Sequence, residues 1–163
     1  MKWLNYKKLS ILRVGLTAAL ILFLAPSFLS APISHQEFEA AVTDTLAGTD
    51  ASVYPRRDEQ VIRRCLGLNP SDFKNIAFMR SEDNMAAEEM AIVQFDTPAQ
   101  KKAFVESCHS RIQKQRSVFD GYAPEQTALM DKAVVKVWGN YGIYVVGSQA
   151  DQIVSALNGS LQV

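Results

Sequence analysis

Cysteine and histidine are both scarce in this chain, two of each in 163 residues. No Cys pair is spaced as CxxC and no His pair as HxxxH, so the local signatures of a zinc site are missing and no metal or other cofactor is expected. Two Cys are too few to staple a disulfide-dense miniature scaffold. An excess of one charge is missing as well: 17 Lys and Arg stand against 17 Asp and Glu, which argues against a nucleic-acid partner. Low-complexity segments are absent and 48% of the residues are apolar, which excludes a disordered or collagen-like chain. A chain of this length has room for one core and an appendage.

The charge balance hides two unlike regions. Lys2, Lys7, Lys8 and Arg13 precede a stretch from Val14 to Ile33 without a charged residue, and no carboxylate lies in the first 34 residues. Removing those four cations leaves 13 Lys and Arg against 17 Asp and Glu from His35 onward, a net of −4. A twenty-residue helix at about 1.5 Å per residue spans the hydrocarbon layer. The basic flank predicts a cytoplasmic N-terminus and an extracytoplasmic domain, with residues 14–33 as the contact to the membrane. Pro26 shortens the apolar core toward signal-peptide length, and Ala25-Pro26-Ser27 offers a small-x-small cleavage site. A retained single-pass anchor and a cleaved signal, giving a secreted domain, are the two expectations for residues 1–33.

Residues 34–57 are expected to form a stalk helix and linker. Ser34 and Glu37 have capping-box spacing, and Phe38, Val42 and Leu46 share one helical face before Gly48. The domain proper is predicted over residues 58–163. Asp58 caps a short helix ending at Gly67; Asn75 to Arg80 and Glu89 to Phe95 read as a hairpin; Thr97-Pro98 starts a long helix running to Gly121. A short helix follows Pro124, and Val134 to Trp138 and Tyr141 to Val146 flank Gly139-Asn140, a two-residue hairpin turn. Ser148 opens a last helix. The β-β-α-β-β-α order predicts an α+β fold, a four-stranded antiparallel sheet with the helices on one face. The strand-to-helix passages at Ile92 to Ala99 and Ile143 to Ala150 hint at an internal repeat.

Phe119, Gly121, Tyr122, Pro124, Glu125 and Gln126, followed by Ala133 to Val137 and Gly139-Asn140-Tyr141, resemble the signature of domain of unknown function 4358. The resemblance covers about Asp58 to Leu157. It implies a small exported or lipoprotein domain of Gram-positive bacteria, with no established activity. The anchor Cys of the lipoprotein members is missing, and Cys65 stands where an aromatic is more usual. The resemblance also suggests an accessory role in O-acylation of envelope polysaccharide.

Catalytic constellations are weak. His35 lies at the membrane exit, and His109 directly follows Cys108, so on a helix the two side chains diverge by about 100° and form no dyad. Glu82, Asp83, Glu88 and Glu89 lack the alternation and Gly of an EF-hand and read as a solvated acidic hairpin. A Cys65–Cys108 disulfide stays open. No enzyme activity is expected. Strand alternation offers instead a binding surface: with one sheet face uncovered, Trp138 and Tyr144 would lie open beside Lys136, and Tyr122 and Tyr141 would mark a rim; the alternative is that helices over Ser34 to Ala47 and Asp58 to Leu66 cover that face. The predicted function is a non-enzymatic module, tethered or secreted, that binds a protein or glycan of the cell envelope.

Overall fold

The computed structural model describes residues 34, 36–50 and 52–162. The expected anchor or signal at 14–33 lies outside them; among the described residues no helix is long and apolar enough to cross a membrane. The elements run α1 (Phe38–Leu46), α2 (Glu59–Leu66), a 3-10 turn (Pro70–Asp72), β1 (Asn75–Arg80), β2 (Glu89–Gln94), α3 (Pro98–Phe119), α4 (Pro124–Asp131), β3 (Val134–Trp138), β4 (Tyr141–Val146) and α5 (Ala150–Ser160).

Local chemistry accounts for several boundaries. Asp58 accepts from the Val61 N–H at 2.9 Å and starts α2, which stops at Gly67 in a left-handed conformation (φ 66°). Thr97 and Gln100 form a reciprocal capping box at the head of α3, with Pro98 in the first turn. Two other anticipated caps are not used. Neither Glu37 ahead of α1 nor Gln149 ahead of α5 makes a side-chain cap, and Ser34 has a different partner, described below.

The sheet has the order β1-β2-β4-β3, antiparallel throughout. The two hairpins meet through their second strands, with Ile92 opposite Ile143. Both faces are covered, which corrects the one-faced packing predicted from the sequence. Met90, Ile92, Tyr141, Ile143 and Val145 point into a core closed by Phe38, Ala41 and Val42 of α1 and by Ile153, Val154 and Leu157 of α5. Ala91, Val93, Tyr144 and Val146 point the other way, against Ile62 and Leu66 of α2, Phe104, Cys108 and Phe119 of α3, and Met130 of α4. The central strands β2 and β4 are buried at every position, as strands covered on both faces must be.

Two corrections follow from this packing. Residues 34–57 are no free stalk, because α1 supplies three buried side chains to the first core. The repeat stops at the strands, since α3 packs on the face of Val93 and α5 on the opposite face. Gly142, in the middle of β4, makes room for the second core: a Cβ there would lie 2.7 Å from the Phe95 ring and 3.0 Å from that of Phe104.

Candidate binding cleft and buried charge network

At one end of the sheet the β3–β4 turn grips the segment ahead of α1. The Asn140 side chain reads both backbone groups of Ser34: its Oδ1 accepts from the Ser34 N–H at 2.9 Å and its Nδ2 donates to the Ser34 C=O at 3.2 Å. Two residues on, the Tyr141 hydroxyl donates to the Gln36 C=O at 2.8 Å. Phe38 then stacks on the Tyr141 ring, with centroids 6.3 Å apart and planes at 16°. Alternate residues 34, 36 and 38 are thus held on one side, as in an extended peptide bound along a surface. Gly139 takes the positive φ of this turn (50°), leaving Asn140 in an ordinary conformation with its amide directed at the strap.

Between strap and sheet end lies a cleft of ≈ 540 Å³. Ser34, Gln36, Glu37, Phe38 and Glu39 form one wall; Lys74, Asn75, Gln94 and Asn140 form the other. The Asn75 Nδ2 donates to Gln94 Oε1 at 2.9 Å. This leaves the Asn75 carbonyl oxygen as a spare acceptor and the Gln94 NH2 as a spare donor among the described residues. Neither is sealed from solvent, although Gln94 is only 5% exposed. Glu39 at the rim is held by a two-pronged Arg56 contact (2.7 and 2.9 Å), whose hydrogen bonds lower its pKa.

The opposite end of the sheet holds a buried charge network. Glu89, 1% exposed, takes two hydrogen bonds from Arg111 of α3: Nε to Oε1 at 2.9 Å and Nη2 to Oε2 at 2.7 Å. The Tyr144 hydroxyl donates to the same Oε1 at 2.6 Å, and Arg80, its cross-strand neighbour, brings Nε to 3.7 Å from Oε2. Burial pushes the Tyr144 hydroxyl well above its ordinary pKa and the Glu89 charge adds to this, so it remains a donor. Burial works against the Arg111 charge, but the Glu89 hydrogen bonds and charge outweigh it and raise the pKa. Burial likewise raises the Cys108 thiol, with Glu89 contributing. Both Cys65 and Cys108 are free. Among the described residues no His, Cys, Asp and Glu side chains gather in threes as a metal site needs.

The five residues expected to form one binding surface are dispersed. Trp138 is half-buried against the first core, Lys136 is exposed on β3, and Tyr144 is fully buried in the second core. Trp138 and Tyr144 therefore lie on opposite faces. Tyr141 is buried as the strap's hydroxyl donor, while Tyr122 is 52% exposed and leans on Phe119. Glu89, read as part of a solvated acidic hairpin, is instead the most deeply held carboxylate of that group. Arg111, a cation on a helix that is otherwise polar on its outer side, is buried with the apolar residues of α3. Its spacing from Phe104 and Cys108, seven and three residues, was the signal that it faces inward.

The signature residues have identifiable tasks. Gln126 Oε1 accepts from the Ala87 N–H at 2.8 Å, pinning the β1–β2 loop to α4, and Gly121 takes φ 84° where α3 turns toward α4. Residues 50–147 match the family model described as Domain of unknown function (DUF4358). The chain belongs to this family. No curated protein and no solved structure matches it. Within this DUF4358 domain the Gly-Asn-Tyr motif is a strap clamp and the Pro-Glu-Gln motif a loop pin.

Proposed function

We propose that this DUF4358 protein is an extracytoplasmic module, tethered or secreted through its N-terminal segment, that binds a glycan of the bacterial cell envelope in the cleft between strap and sheet. The carrying observation is the Asn75–Gln94 pair: both residues line the cleft, and their mutual hydrogen bond leaves one amide acceptor and one amide donor unused among the described residues. Side-chain amides of this kind answer sugar hydroxyls, each of which donates and accepts. Three of the nine lining residues carry charge, and Glu39 among them is matched by Arg56, which suits a neutral ligand better than a polyanion. The inner carboxylate Glu89 is committed to Arg111 and Tyr144, and the Cys108 thiol is held protonated, which favours binding over chemistry at those groups.

The test is titration of the full chain in detergent micelles with a neutral N-acetylhexosamine tetrasaccharide, followed by NMR of the side-chain amides. The Asn75, Gln94 and Asn140 signals are expected to move, and Gln94→Leu to weaken binding at least about tenfold, the worth of roughly one good hydrogen bond. Unmoved amide signals at saturating sugar would refute the glycan assignment.

A further inference from the structure

The two outer strands of the sheet are treated differently. Residues 55–57 lie along the free side of β1: the Arg57 N–H donates to the Phe78 C=O at 2.8 Å, the Arg80 N–H donates to the Pro55 C=O at 3.1 Å, and Arg56 bridges to Met79. The chain thus caps one edge of its own sheet. On β3 nothing comparable occurs. Its register against β4 runs unbroken from Val134 opposite Val145 to Trp138 opposite Tyr141, and among the described residues no backbone hydrogen bond reaches its outer side.

An edge strand turns the N–H and C=O of alternate residues outward, where they template a further strand. Natural edges are blunted by shortness, Lys, Pro, bulges or inward charges, and on β3 the devices present are its five-residue length and Lys136, which selects among partners by charge. The sequence Val-Val-Lys-Val-Trp has no Pro and no bulge, and four of its five residues favour strand pairing. Its single charge, Lys136, is exposed and has no salt-bridge partner among the described residues. Lys136 shares a face with Val134 and Trp138, while Val135 and Val137 face the second core.

We infer that the outer edge of β3 is a docking site for an extended segment of a partner protein that carries an acidic residue opposite Lys136. The favoured segment alternates an acidic centre with apolar residues two places to each side, over Val134 and Trp138, and β-branched residues between them over Val135 and Val137. A second copy of this chain fits poorly, because antiparallel pairing centred on this strand sets Lys136 against Lys136. An acidic side chain there turns that repulsion into attraction. The site lies apart from the cleft and does not depend on glycan binding.

The experiment adds a nine-residue peptide with an Ile-Val-Glu-Val-Leu centre to the full chain in detergent micelles and follows hydrogen exchange of the β3 amides. Alternate β3 amides are expected to become protected, a Glu-to-Lys peptide to bind at least tenfold more weakly, and Lys136→Glu to reverse that preference. Two further peptides, N-methylated at alternate residues in opposite phases, separate strand pairing from side-chain contact: one phase should lose binding and the other keep it. Equal binding by both phases, or no protection by the acidic peptide, overturns the inference. Sedimentation of the protein alone as a dimer with β3 already protected would assign the edge to a second copy and overturn it equally.

Discussion

Glu89 shows how much one residue can decide. A carboxylate at this depth is tolerable only with its lone pairs occupied, and Arg111 and Tyr144 occupy them. Arg111→Met leaves the charge buried with only Arg80 nearby and is expected to cost about 3–5 kcal/mol. Tyr144→Phe removes one donor and is expected to cost about 1–3 kcal/mol. Urea unfolding of both variants and of the double mutant checks this, and additive losses would refute a shared network. From the sequence Glu89 reads as part of a solvated hairpin and Tyr144 as part of an open face, so their burial was not legible; only the strand face of each was. Glu89 alternates with Ala91 and Val93, and Tyr144 with Gly142 and Val146. Their mutual distance was not legible, because Arg111 approaches from a helix twenty-two residues beyond Glu89.

At the scale of elements, the strap and the β3–β4 turn act as one unit. Ser34 and Glu37 have the spacing of a capping box, yet the Ser34 backbone is taken by Asn140, 106 residues away, and α1 begins without a side-chain cap. The local pattern lost to a long-range contact that satisfies two backbone groups at once. Asn140→Ala is therefore expected to release the strap and to raise hydrogen exchange at the Ser34 amide by about fivefold, in line with a lost hydrogen bond near 1 kcal/mol. Retained protection at Ser34 in that variant would show that Tyr141 and Phe38 hold the strap unaided. The turn itself was foreseeable from Gly139-Asn140; its grip on the strap was not.

For the whole molecule, two cores share one sheet, so neither can be lost alone. Phe104→Ala empties the second core and is expected to cost about 3–5 kcal/mol. In a Trp3→Phe background, fluorescence of Trp138 beside the first core should then fall with the same midpoint as the circular dichroism. Separate midpoints would mean that the two layers unfold independently. The sign that both faces are covered was in the sequence: β2 and β4 carry apolar or aromatic residues on consecutive positions, unlike the alternation of a half-exposed strand. The order of elements, most of their boundaries, the antiparallel hairpins and the family can be read along the chain, since these depend on neighbours a few residues apart. Which face each helix covers, that the strap belongs to the domain, and which polar groups meet emerge only once the chain is folded. Those outcomes depend on contacts between residues distant along the chain, where a period of two or 3.6 specifies a direction but not a partner.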